Sequence, residues 1–269
     1  MLPNFLRSLL GQDAAQPVLP QVPDGMRYYV IGDIHGRMDL YSAMIGEIEA
    51  DDAAGEAKDT VVVLLGDLVD RGPDSAGVVR RTREWMQERT VRVLAGNHEE
   101  MFLAAFDDIE VLRHFFKHGG RETVMSFGIS AEDFNEMSLE ELYASLPQLV
   151  SSEDREFIAS FEGMIIAGDY VFVHAGIDPD VPLDKQDRRD LLWIRDRFLR
   201  HKGPLPKVVV HGHTIFNEVV DCGNRIGIDT GAFRTGVLTA LVLESDQRRL
   251  IQVIEEEGIL RVENKEYNA

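Results

Sequence analysis

A single cysteine, Cys222, stands in a chain of 269 residues. No intramolecular disulfide can form, and a reducing, cytoplasmic setting fits such usage. Long apolar runs are missing too. None approaches the roughly 20 residues that cross a bilayer, so no membrane partner is expected. The first 23 residues lack a basic flank followed by an apolar core, which predicts no secretory signal. Within them, Pro3-Asn-Phe-Leu-Arg-Ser-Leu-Leu10 reads as a frayed terminus rather than an amphipathic anchor. Positive charge is scarce: 28 Lys and Arg face 47 Asp and Glu, a formal net charge of −19. A field of that sign repels nucleic-acid backbones, and no nucleic-acid partner is expected.

What the chain does have is a repeated local form. Five apolar stretches each end in glycine, aspartate, asparagine or histidine. They are Tyr28-Tyr-Val-Ile-Gly-Asp-Ile-His35, Val61-Val-Val-Leu-Leu-Gly-Asp-Leu-Val-Asp-Arg71, Val91-Arg-Val-Leu-Ala-Gly-Asn-His-Glu99, Tyr170-Val-Phe-Val-His174 and Val208-Val-Val-His-Gly-His213. Val, Ile and Tyr in short runs predict buried strands, and a following glycine lets the backbone turn sharply. Open α/β sheets bind ligands at the carboxyl ends of their strands. Five strand ends with such side chains therefore point to one shared site.

Between these blocks the pattern alternates. Strands are expected at 27–32 and 60–65, and helices at 38–52 and 74–89. Such alternation predicts a layered α/β architecture. Residues 1–25, with Pro17, Pro20, Pro23 and Gly25, read as a flexible leader to a single domain over 26–269. From about 100 to 160 the strands stop, and helical stretches at 101–106, 111–116 and 139–146 predict a helical cap inserted beside the site. Strands resume over 164–176 with a hairpin turn at Gly168-Asp169. A short helix is expected over 191–200, and strands at 208–211, 218–228, 237–244 and 249–255.

Oxygen and imidazole donors without thiolates suit Mn²⁺, Zn²⁺ or Fe. Asp33 and His35 lie two apart after one strand and can face one ion, while Asp67 after the next strand can bridge to a second. Asn97, His174 and His213 can complete that second site. Two such ions, roughly 3.5–4 Å apart, would clamp a phosphoryl oxygen and ionise a bridging water for in-line attack.

Gly32-Asp-Ile-His-Gly36, Gly66-Asp-Leu-Val-Asp-Arg-Gly72, Gly96-Asn-His-Glu99, His174-Ala-Gly176 and Gly212-His213 resemble, in order and spacing, the signature blocks of the bacterial phosphoprotein phosphatases. That family belongs to the calcineurin-like metallophosphoesterases. The resemblance runs from about Arg27 to Thr239. It implies a central mixed β-sandwich flanked by helices, and two divalent metal ions, Mn²⁺ foremost with Fe or Zn as alternatives. It implies Asp33, His35 and Asp67 on one ion, and Asp67, Asn97, His174 and His213 on the other. His98 would be the general acid, Asp70 the carboxylate that orients it, and Arg71 and Arg195 the phosphate clamp. His211, beside His213, is a competing ligand candidate; the family pattern favours His213 and leaves His211 a supporting or core role. The loop His118-Gly-Gly-Arg-Glu-Thr123 reads either as a substrate-contacting loop or as a glycine-capped helix end.

The implied activity is metal-dependent hydrolysis of phosphomonoesters, with a phosphorylated protein or a small phosphoester as substrate. A serine/threonine protein phosphatase, possibly of dual specificity, is the main reading. Symmetrical diadenosine tetraphosphate hydrolases resemble the chain too, but their second block usually lacks an acidic residue before Arg-Gly and their third ends in Asp. Here Asp70 and Glu99 stand at those positions. A non-catalytic binding protein on the same scaffold would have lost a ligand or the general acid, and none is missing.

Overall fold

The computed structural model describes residues 19–267. The first 18 residues of the expected leader, with the Pro3–Leu10 stretch, lie outside the described residues. The rest of the leader is fastened to the body. Gln21 N–H donates to the Asp169 carboxylate at 3.0 Å, Asp169 N–H returns a bond to the Gln21 carbonyl at 2.8 Å, and Val22 is buried.

The chain opens with β1 (Met26–Ile31), α1 (Met38–Ala54), β2 (Asp59–Leu64), α2 (Ser75–Glu88) and β3 (Val91–Val93). Asp74 starts α2 by accepting the Gly77 N–H, which satisfies one of the free donors of its first turn. Six helices follow without an intervening strand: α3 (Asn97–Ala104), α4 (Ile109–Lys117), α5 (Gly120–Ser126), α6 (Ala131–Glu136), α7 (Leu139–Leu149) and α8 (Ser152–Ala159). Helices this short are marginal alone. Four are started by a side-chain cap, from Asp108, Ser130, Ser138 and Ser151. Packing does the rest: Phe115 of α4 is fully buried and stacks on Phe102 of α3 at 5.4 Å between ring centroids. Phe115→Ala is expected to lower unfolding free energy by about 3–5 kcal/mol, read from urea denaturation.

The chain continues through β4 (Met164–Ala167), β5 (Tyr170–Val173), α9 (Arg188–Trp193), α10 (Asp196–Leu199), β6 (Val208–His211), β7 (Val220–Asp221), β8 (Arg225–Gly227), α11 (Ala232–Thr235), β9 (Val237–Glu244), β10 (Gln247–Glu256) and β11 (Ile259–Glu266). Two mixed sheets result, one ordered β11-β10-β9-β1-β2-β3 and the other β4-β5-β6-β8-β7. Alternation along the strands sorts their side chains into layers. Tyr28, Val30, Val61 and Val63 point into a core shared with Phe172, Val210 and Ile226 of the second sheet. Their neighbours Tyr29, Ile31, Val62 and Leu64 face α1, α2 and the helical segment. Outside the second sheet, Val171, Val173 and Val209 pack against Leu191 and Phe198 of α9 and α10. The fold is therefore helix, sheet, sheet, helix: the expected mixed sandwich.

Two elements differ from the sequence reading. The helix expected over 191–200 is two, broken at Ile194-Arg195, where Arg195 takes φ −134° and ψ −101°. The strand β11 has only Ile259, Leu260 and Val262 as apolar residues and was not expected; its backbone is ordered by antiparallel pairing along β10.

Candidate metal centre

β1, β2 and β3 run parallel, as do β5, β6 and β8. Their carboxyl ends meet across the sandwich. Asp33 and His35 follow β1; Asp67, Asp70 and Arg71 follow β2; Asn97 and His98 open α3 behind β3. His174 follows β5, and His213 follows β6. All except Arg71 are buried. Backbone strain gathers at the same place. Among the described residues, seven non-glycine residues have positive φ, and five of them are His35, Asp67, Asp70, Arg71 and His213. Left-handed backbone is costly for residues with a Cβ, so such clustering marks a site that the surrounding fold holds by force. Gly96 and Gly212 are glycine for another reason: a Cβ at either would collide with the Asp67 or Asp33 carboxylate.

Two groups of side chains could each hold a metal ion. His35, Asp67 and His98 form one, and Asp67, His174 and His213 the other, with the donor atoms of each within 4.8 Å of one another. Asp67 belongs to both. Asn97 joins the second group, its Oδ1 lying 3.0 Å from His174 Nε2 and 2.7 Å from His213 Nδ1. Asp33 falls outside both groups, and its carboxylate instead accepts the His213 backbone N–H at 3.0 and 3.2 Å. Arg195 leaves the break between α9 and α10 and donates to His213 Nε2 at 3.1 Å. Arg71 donates to His35 Nε2 at 2.7 Å and His98 Nε2 at 2.9 Å. His98 Nδ1 faces Asp70 at 2.6 Å. His211 lies apart from these residues, buried against Phe198 and Phe216, and burial pushes its imidazole down to about 3.

The donor chemistry fits metal binding. His174 Nδ1 donates to the Leu65 carbonyl at 2.8 Å, so the neutral imidazole turns the lone pair of Nε2 into the site. There it meets Asn97 Oδ1 at 3.0 Å and Asp67 Oδ1 at 3.4 Å, three acceptors converging with no proton between them. A cation satisfies such a triangle. Burial keeps His35 and His174 low and takes His213 down to about 2, so these imidazoles are neutral, each with one lone pair to offer a cation in the appropriate tautomer. Burial alone would raise Asp67, but His174, His98 and His35 outweigh it and hold the carboxyl below its usual range. Asp33 goes the other way, pushed up by burial and by the nearby Asp229 and Asp67.

The supporting roles of three groups were not read from sequence. Glu99 spreads its carboxylate over four backbone N–H groups, those of Asp67, Leu68, Val69 and Gly96, at 2.7–3.2 Å. It thereby fixes the strained β2 turn and the start of α3 together. Thr123 of α5 donates to Asp70 Oδ1 at 2.6 Å, and the Gly119 carbonyl accepts the Arg71 N–H at 3.0 Å. The loop at 118–123 is thus both a helix end and a brace for the Asp70-Arg71 turn. Asp229, behind β8, is buried beside Asp33 and pushed up to about 6 by burial, against the Gly231 N–H that it accepts. Its setting, Ile226-Gly-Ile-Asp-Thr-Gly231, repeats the strand–Asp–Gly form of the other blocks and was legible in the same way.

This arrangement, strand-end carboxylates and imidazoles gathered between two mixed sheets, defines a metal-assisted hydrolase of phosphate esters. Residues 26–234 match the calcineurin-like phosphoesterase family, and the chain belongs to it. The family uses divalent metal ions. Among individual proteins, the chain is 29% identical over 220 residues to serine/threonine-protein phosphatase 1 of Salmonella typhimurium, spanning 78% of this chain and 89% of that one. It is 27% identical over 237 residues to the asymmetrical bis(5'-nucleosyl)-tetraphosphatase PrpE of Anoxybacillus flavithermus, spanning 80% and 90%. The cold-active protein-tyrosine phosphatase of a psychrophilic Shewanella shares the fold, with TM-score 0.54 at 17% identity over 90% of this chain and 83% of that one. Among the described residues no helix is long and apolar enough to cross a membrane.

Proposed function

We propose that this chain is a dinuclear-metal phosphatase that hydrolyses phosphoserine and phosphothreonine esters in proteins, with phosphotyrosine as an additional substrate. The observation that carries the chemistry is the acceptor triangle of His174 Nε2, Asn97 Oδ1 and Asp67 Oδ1, beside a second group that shares Asp67. The 29% identity to a serine/threonine phosphatase, with an acidic residue at both Asp70 and Glu99, supports the protein substrate. Hydrolysis of dinucleoside tetraphosphates is the second reading, favoured by the PrpE relatives. We assign residues 26–269 to one domain, with the helices from α3 to α8 as a cap over one side of the site. Its N and O donors without thiolate suit Mn²⁺, with Fe or Zn as alternatives.

In this assignment Asp33, His35 and Asp67 hold one ion, and Asp67, Asn97, His174 and His213 the other. When bound, the ions supply Lewis-acid charge and a water of lowered pKa. The remaining work falls to the chain. Arg71 and Arg195 present planar forks that match phosphate oxygens. Arg71 donates to His98 Nε2. A phosphate that draws Arg71 onto itself frees Nε2 to carry a proton toward the leaving oxygen. Asp70, on Nδ1, fixes the ring and stabilises the protonated form.

The pH behaviour follows. Burial lowers the His98 pKa, but Asp67 and Asp70 outweigh it and raise it above the ordinary 6.5. The acid form is the active one, so turnover is expected to fall as pH rises through the titration of His98. Asp70→Asn removes one of the raising partners and should move that alkaline fall to lower pH. An unmoved profile would remove Asp70 from the role.

The function is tested by stripping the protein with a chelator, restoring Mn²⁺, and assaying phosphoserine, phosphothreonine and phosphotyrosine peptides, 4-nitrophenyl phosphate and diadenosine tetraphosphate. Metal-dependent turnover of the peptides is the expected result. Rapid cleavage of the tetraphosphate with the peptides untouched would replace it with the second reading.

A further inference from the structure

In a chain of charge −19, residues 111–121 contain no acid at all and carry Arg113, His114, Lys117, His118 and Arg121. These residues lie on α4 and at the start of α5, and the ridge is tied to the catalytic turn. The Gly119 carbonyl, one residue past His118, accepts the Arg71 N–H at 3.0 Å, and a Cβ added at Gly119 would collide with Arg71. The rings of His114 and His118 lie 4.1 Å apart along the exposed side of the helix. Arg71 is also touched by α11. The guanidinium lies 4.6 Å above the Phe233 ring, and Arg234 is the next residue. Arg113 is paired with Glu110, and Arg121 donates to Asn135. Lys117 and Arg234 are exposed and form no ion pair among the described residues. Lys117 thus lies two residues from the glycine that accepts the Arg71 N–H, and Arg234 one residue from the ring under its guanidinium, in a chain where excess cations are few.

We propose that Lys117, His118 and Arg234 form a subsite for a second anionic group on the substrate, next to the scissile phosphate. The group is an acidic side chain beside a phosphoresidue or the adjoining phosphate of a polyphosphate chain. This rests on the phosphatase reading above and adds the substrate class. Surface charges at this range act mainly on binding rather than on the bond-breaking step, because the second anion gains no charge in the transition state.

The test compares wild type with Lys117→Glu/Arg234→Glu in the Mn²⁺-loaded protein. Substrates are 4-nitrophenyl phosphate, a phosphoserine peptide with Asp beside the phosphoresidue, the same peptide with Asn there, and diadenosine tetraphosphate. The wild type should prefer the Asp peptide. In the variant KM for the substrate bearing the second anion should rise on the order of tenfold with kcat unchanged. Turnover of 4-nitrophenyl phosphate, which has no second anion, should hold and serves as the folding control. Loss of the Asp preference alone identifies an acidic side chain as the occupant; a raised KM for the tetraphosphate alone identifies a phosphate chain. An unchanged Asp preference together with an unchanged tetraphosphate KM would overturn the subsite. So would an equal loss on all four substrates. If the wild type cleaved none of them, the phosphatase reading itself would fall, a result distinct from either.

Discussion

Asp67→Asn is expected to abolish turnover and to lower metal content from about two ions per chain to one or fewer. The reason lies in the position of the side chain. One carboxylate oxygen lies 3.4 Å from His174 Nε2 and the other 3.5 Å from His35 Nε2, so a single residue serves both groups. Among the buried carboxyls of the site it is the one whose surroundings hold its pKa down. An amide offers one oxygen where the carboxylate offers two, and removes the negative charge that balances the ions. Asp33→Asn should be milder in metal content, since Asp33 lies outside both groups and its oxygens are partly engaged by the His213 N–H. Metal analysis after dialysis, run beside the activity assay, separates the two variants. Unchanged stoichiometry in Asp67→Asn would contradict the shared role.

The second large effect is expected at His98. His98→Asn should keep its metals and lose about two to four decades in kcat on phosphoserine peptides, the usual size of a general-acid contribution. The alkoxide of serine is a poor leaving group and needs the proton; 4-nitrophenolate does not. The loss should therefore shrink on 4-nitrophenyl phosphate. Because His98 also stands within donor distance of His35 and Asp67, a metal role is the competing account. Equal losses on both substrates, accompanied by lost metal, would favour that account over proton donation.

Much of this site was legible in the chain because its logic is local. Each block is a short apolar strand followed at once by the functional side chain, so the strand and the site are read from the same residues. The 226–231 segment shows that the signal extends further than the five blocks, since Asp229 arrives in the same form. What was not legible depends on partners distant in sequence. Glu99 looks like part of a helix start, and only the folded turn of Asp67–Val69 shows why its carboxylate is needed. Thr123 lies 53 residues from Asp70, inside a helix whose pattern gives no sign of the contact. The break at Ile194-Arg195 has neither proline nor glycine to announce it; it turns Arg195 toward His213. The mostly polar β11 alternates only over Leu260–Glu263 and takes its order from β10.

The most direct test of the whole account is anomalous diffraction from crystals of the Mn²⁺-loaded protein, measured at the manganese edge. Two peaks per chain are expected, roughly 3.5–4 Å apart, both within bonding distance of Asp67. One should be ligated by Asn97, His174 and His213, and the other by His35 and Asp33. A single peak, or two peaks that do not share Asp67, would contradict the dinuclear centre.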